Sequence, residues 1–154
     1  QTAQSGSVKR TFSFYASVGN GAVHEVRLKV SNADKTITSV KTVVLKVRDP
    51  EISVYQEYTA GGPDMSRAIK SFKAFAGEEK EFRALPYFFS KNNESDLKYS
   101  WAIEGGNVSD DDRPNILRLK IPDDAAGSFN VEVLVNNLKS IVQHTGARFI
   151  INIF

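Results

Sequence analysis

No cysteine occurs in the 154 residues, so disulfides, thiolate metal sites and a cysteine nucleophile are excluded together. The compartment is left open by this, although small secreted animal modules often need disulfides and bacterial surface domains commonly do without them. Histidine is almost as scarce. His24 and His144 each stand alone in an alternating stretch, with no His-x-x-x-His pair, no phosphate-cradling glycine loop and no Ser-His-Asp set with elbow glycines. The expectation is a non-enzymatic protein. Neither charge sign dominates: 20 basic and 18 acidic residues are interspersed, which leaves no basic stripe for nucleic acid. No run approaches the ~18 apolar residues that cross a bilayer, so no membrane contact is expected within this segment. The first residues lack a basic end followed by an apolar run, so a signal peptide or anchor is expected to have been removed or never present.

What is present is alternation. Leu97, Tyr99, Trp101 and Ile103 alternate with Lys98, Ser100, Ala102 and Glu104, the period of a strand with one buried face, and Gly105-Gly106-Asn107 ends it. This strand carries the only tryptophan, an indole able to fill the space between two sheets. Gly127 to Asn137 repeats the pattern, with Phe129, Val131 and Val133 on one face. Tyr99, Trp101, Phe129, Val131 and Val133 are therefore the expected core.

Residues 1–7 read as a flexible lead-in, being small, polar and aperiodic. Strands are then expected over Val8–Ser17, Val23–Val30 and Thr36–Val47, the last two separated by the turn Ser31-Asn32-Ala33-Asp34-Lys35. Arg48-Asp49-Pro50 punctuates the chain, since proline bars the preceding residue from helix and cannot donate to a ladder. A boundary is placed there, giving a segment 8–48 and a second one 49–154. Further strands are expected at Glu51–Tyr58, Glu81–Phe89, Leu97–Glu104, Ile116–Ile121, Gly127–Asn137 and about Gln143–Phe154. Met65 to Phe75 fits a helical face or a short strand. Pro86 points to an edge or a bulge. Short strands at this spacing specify an all-β sandwich.

Tyr99-Ser100-Trp101 before a glycine turn, and Gly127-Ser128-Phe129-Asn130-Val131-Glu132-Val133-Leu134-Val135, resemble the Tyr-x-Trp and Gly-x-Tyr-x-Val-x-Leu-x-Val signatures of bacterial immunoglobulin-like repeats of the polycystic-kidney-disease type. Residues 50–101 also resemble surface proteins of candidate-phylum bacteria of very small cell size. The resemblance implies a complete immunoglobulin-like β-sandwich over 49–154, with 8–48 a partial module similar only to the back half of such a repeat. It implies an extracellular or cell-surface protein, with surface or envelope proteins as partners, acting as an adhesive or structural scaffold of a larger envelope protein. The chain departs from the family in Ala102-Ile103-Glu104-Gly105-Gly106, where the usual turn is richer in acidic residues.

Two alternatives stand beside that function. One is a carbohydrate- or protein-binding accessory domain with Tyr55, Tyr58, Tyr87 and Phe89 as contacts; alternation puts Tyr87 and Phe89 on one face and Phe88 on the other. The other is an assembling subunit that self-associates by strand complementation, because three strands alone leave open edges. No cofactor is required by any motif. Asp110, Asp111, Asp112, Asp123 and Asp124, with Asn115, are the candidate oxygen ligands for calcium, against the reading that they are solvated turns with Arg113 as neutraliser.

Overall fold

The computed structural model describes residues 6, 11, 21–90, 94–108 and 112–154. Among these the chain is all-β apart from one 3-10 turn, and it divides into two compact units, Gln1–Asp49 and Pro50–Phe154.

In the first unit, β1 (Val23–Ser31) pairs antiparallel with β2 (Thr38–Lys46) in an unbroken register from Val23↔Lys46 to Ser31↔Thr38. The connection is built by short polar side chains bonding their own backbone, as the turn residues lead one to expect. Asn32 Oδ1 accepts the Ile37 amide at 2.9 Å, and the Asp34 carboxylate accepts both the amide and the hydroxyl of Thr36. Those Thr36 bonds hold the Asp34 carboxyl below its ordinary range. Val26, Leu28, Val30, Val43 and Leu45 share one face of the ladder. The expected strand Val8–Ser17 lies outside the described residues, apart from Thr11.

The second unit contains two sheets. One runs in the order β5 (Ser71–Ala74), β11 (His144–Ile153), β10 (Gly127–Asn137), β7 (Leu97–Ile103), β8 (Gly106–Val108). The other runs β4 (Gly62–Pro63), β3 (Glu51–Tyr58), β6 (Glu79–Tyr87), β9 (Ile116–Lys120). All pairings are antiparallel except β5 with β11. Inward residues of both sheets form one core: Val54, Phe82, Ala84 and Leu117 from the four-stranded sheet meet Trp101, Val131, Val133, Val135, Phe149 and Ile151 from the other. Phe82 stands at its centre, with Phe72 edge-on and Phe149 tilted, both rings 5.1 Å away. Of the expected core set, Trp101, Val131 and Val133 are buried, while Tyr99 and Phe129 are half-buried against the same cluster.

Two local outcomes follow from backbone chemistry. Met65–Phe75 is neither helix nor a long strand; its last residues form β5, which gains its bonds from β11 rather than from a sequence neighbour. Pro86 lies in an interior strand and makes no bulge, since the Ile52↔Pro86 register is continuous. The Ala84 amide donates to Asn115 O at 2.8 Å, so the even-numbered amides of β6 point toward β9. β9 pairing ends at Arg83↔Ile116, and Pro86 therefore sits where no donor is wanted.

Candidate binding face of the four-stranded sheet

The outer face of this sheet is set by the register. Glu51–Tyr87, Ser53–Leu85, Tyr55–Arg83 and Glu57–Glu81 are opposed across β3 and β6, and Arg83–Ile116 and Glu81–Arg118 across β6 and β9. Glu57 and Glu81 are directly opposite like charges, an arrangement that costs stability unless cations intervene. Arginines supply them. Arg83 grips Glu57 with two bonds, Nε to Oε2 at 2.7 Å and Nη2 to Oε1 at 2.6 Å. Arg113 Nη2 and Arg118 Nε both donate to Glu81 Oε1, at 2.9 and 2.8 Å. The Arg118 bond, with Arg113 adding to it, holds the Glu81 carboxyl below the ordinary range. A carboxylate clamped by guanidinium in this way is a poor proton carrier near neutral pH.

Tyr55 and Tyr87 meet on the same face with their hydroxyls 3.4 Å apart, and this contact raises the Tyr87 hydroxyl above its usual value. The four aromatics expected as a contact set do not gather. Tyr58 is an even-numbered residue of β3, so it turns to the opposite face from Tyr55, where its hydroxyl donates to Gln56 Oε1 at 3.0 Å. Phe89 packs half-buried on the core. Phe88, expected on the other face from Tyr87, lies beside it with the rings 6.4 Å apart and is half-exposed. The reason is a left-handed backbone at Phe88, φ +62°, which ends the strand's alternation one residue early. Composition carries no signal for that, because Phe is not a residue that favours this region.

Trp101 is turned away from solvent, 3% exposed, and its indole donates to Pro114 O at 3.1 Å. It cannot stack on a sugar at the surface. Of the acidic candidates, Asp110 and Asp111 lie outside the described residues. Asp112 precedes β9 and Asp123 and Asp124 follow it, so a strand of about 16 Å stands between Asp112 and that pair. Among the described residues, no three His, Cys, Asp or Glu side chains come close enough to hold a metal. His24 lies in β1 of the first unit and His144 at the start of β11 in the second.

Tyr99 was legible in sequence as a core residue but not for its hydroxyl, which is buried with no hydrogen-bond partner among the described residues. Burial, with the Glu94 charge second, pushes it up to about 12. The folded state thus holds this proton more tightly than the unfolded chain, whose tyrosine titrates near ~10. The associated stability is complete below pH ~10 and is lost as the pH rises toward 12. In a spectrophotometric titration at alkaline pH, one tyrosinate should appear last, near pH 12, and be absent in Tyr99→Phe. Because the hydroxyl makes no bond, Tyr99→Phe should be neutral or stabilising by up to ~1 kcal/mol in urea denaturation.

Comparison with known proteins adds little to this geometry. No family model matches the chain, and no curated protein matches it. A solved nucleoside hydrolase-related hypothetical protein from Saccharophagus degradans, described as associated with carbohydrate metabolism, is similar over 71% of this chain and 26% of its own, at 18% identity and a TM-score of 0.47. The chain thus spans about a quarter of that protein, and a likeness this loose fixes neither fold nor function.

Proposed function

We propose that residues 50–154 form an immunoglobulin-like module serving as a structural spacer, an adhesive or scaffolding element of an extracellular envelope protein. The strand order supports this reading: in an immunoglobulin-like assignment β3, β6 and β9 would correspond to strands A, B and E, and β11, β10, β7 and β8 to G, F, C and C′, which would put Trp101 on strand C.

One observation carries the spacer role. β5, near the start of the unit, runs parallel to β11 at its end, in the register Ile150↔Ser71 to Ile153↔Ala74. The Phe154 amide extends this clamp to Ala74 O at 3.1 Å. Tension applied at Pro50 and Phe154 pulls these strands past one another, loading all their bonds at once. Tension applied at Gly127 and Ile153, which face each other across β10 and β11, opens bonds one after another instead. Single-molecule stretching of the full chain should therefore give a higher rupture force in the first geometry than in the second. Equal forces would remove the support for a spacer. The Tyr87–Phe88 pair favours a second reading, protein binding through the outer face of the four-stranded sheet, for which Phe88→Ala should weaken partner capture without lowering stability.

A further inference from the structure

The 50–154 unit is apolar at both ends of its long strands, and the two ends differ in shape. At one end, the connection between β10 and β11 presents Leu138, Ile141 and Val142, with Ile141 94% exposed. This protrusion is held in place from beneath. Buried Asn137 donates through Nδ2 to Ser90 O at 2.7 Å and Gln143 Oε1 at 2.8 Å, and its Oδ1 accepts the Lys139 amide at 2.8 Å. Ser140 N–H to Asn137 O, at 3.2 Å, and Gln143 N–H to Ser140 O, at 2.9 Å, close two successive turns. The loop is ordered before it meets anything, which lowers the entropy lost on binding.

At the other end of β10, about 35 Å away at ~3.3 Å per residue, a hollow of about 200 Å³ opens between the sheets. Ile103, Ile121, Pro122, Ala125, Phe129 and Ile153 line it, and no polar surface faces it. A dry cavity of ~150 Å³ accommodates benzene, so this hollow has room for one branched aliphatic side chain. The charges beside the two features are opposite. Lys139 neighbours the protrusion, while Asp123 and Asp124 sit between Pro122 and Ala125 on the rim. None of these three has an ion-pair partner among the described residues.

We propose that the occupant of the hollow is Ile141 of a second copy of this chain, with Lys139 of that copy facing Asp123 and Asp124, so that copies stack head to tail. The contact is heterologous and leaves a free protrusion at one end and a free hollow at the other, so it extends into linear arrays instead of closing. The end of a two-sheet sandwich offers a face of roughly 20 by 25 Å, about 1,000 Å² for both partners, just under the ~1,200 Å² of stable specific interfaces. Association is therefore weak, with a dissociation constant on the order of 100 μM. This inference does not depend on the module being immunoglobulin-like.

Sedimentation of the full chain from about 10 μM to 1 mM, bracketing that constant, should show an average mass that climbs with concentration. Ile141→Asp should remain monomeric throughout; its side chain is almost wholly in solvent, and an unchanged thermal melt would confirm that the fold is kept. Because the chain has no cysteine, the double variant Lys139→Cys with Asp124→Cys should oxidise to a ladder of covalent oligomers, whereas each single variant, with no cysteine opposite it in the contact, should give no ladder. A wild type that stays monomeric overturns the proposal, as does self-association that Ile141→Asp leaves intact. Monomers that instead co-sediment with phosphatidylcholine–phosphatidylglycerol vesicles, and lose this with Ile141→Asp, would assign the protrusion to a lipid surface and equally overturn it.

Discussion

Trp101→Ala is expected to lower the stability of the 50–154 unit by about 3–5 kcal/mol, the range for removing a large buried ring and leaving its cavity. The indole lies in β7 between Val133 of β10 and Val108 of β8, and sheet pairing on both sides prevents the backbone from closing the gap. It also caps Pro114 O, so truncation leaves that carbonyl without its 3.1 Å donor. A unit of this size has roughly 5–15 kcal/mol of stability in total, so a large share would be lost. Urea denaturation followed by far-ultraviolet circular dichroism should show a lowered midpoint with an unchanged slope. Trp101→Phe keeps most of the ring volume and should cost less, about 1–2 kcal/mol, mainly for the unsatisfied carbonyl. A loss below 1 kcal/mol for the alanine variant would mean that the indole does not fill the space between the sheets.

The strands were legible because period-2 alternation is a local property. Val23–Val30, Glu51–Tyr58, Leu97–Glu104 and Gly127–Asn137 each match an observed strand to within a residue, and the inward residues of β7 and β10 follow from them. Partnership between distant strands is not local, and there the reading ran out. Nothing in Ser71–Ala74 says that it will lie parallel to β11, some eighty residues later; the apolar spacing of Met65–Phe75 suits a helix equally well. The candidate site suffered most. Its aromatic set assumed that alternation continues through Phe89, and a single left-handed residue, Phe88, exchanged the places of Phe88 and Phe89. The ion-pair lattice of Glu57, Glu81, Arg83, Arg113 and Arg118 was invisible for a different reason. Those residues come from three strands and a loop, and only the register brings them to one face.

Within that lattice the Arg83–Glu57 pair is expected to dominate. The Glu57 side chain is only 7% exposed against 29% for Arg83, so the carboxylate relies on its two guanidinium bonds in place of water. Removing one partner of a buried pair costs ~3–5 kcal/mol because a charge is left uncompensated. Since Arg83 reaches partly into solvent, Arg83→Met should fall at the lower end, about 3 kcal/mol. The pair as a whole is worth much less. Its Coulombic gain is offset by desolvation, so the double variant Arg83→Met with Glu57→Gln should be more stable than Arg83→Met alone. The double variant distinguishes the two causes. If the loss comes from the stranded Glu57 charge, neutralising it with Glu57→Gln should recover most of the Arg83→Met deficit. If instead it reflects lost packing of the arginine stem against Tyr55 and Ile116, its cross-strand neighbours, the double variant should recover nothing.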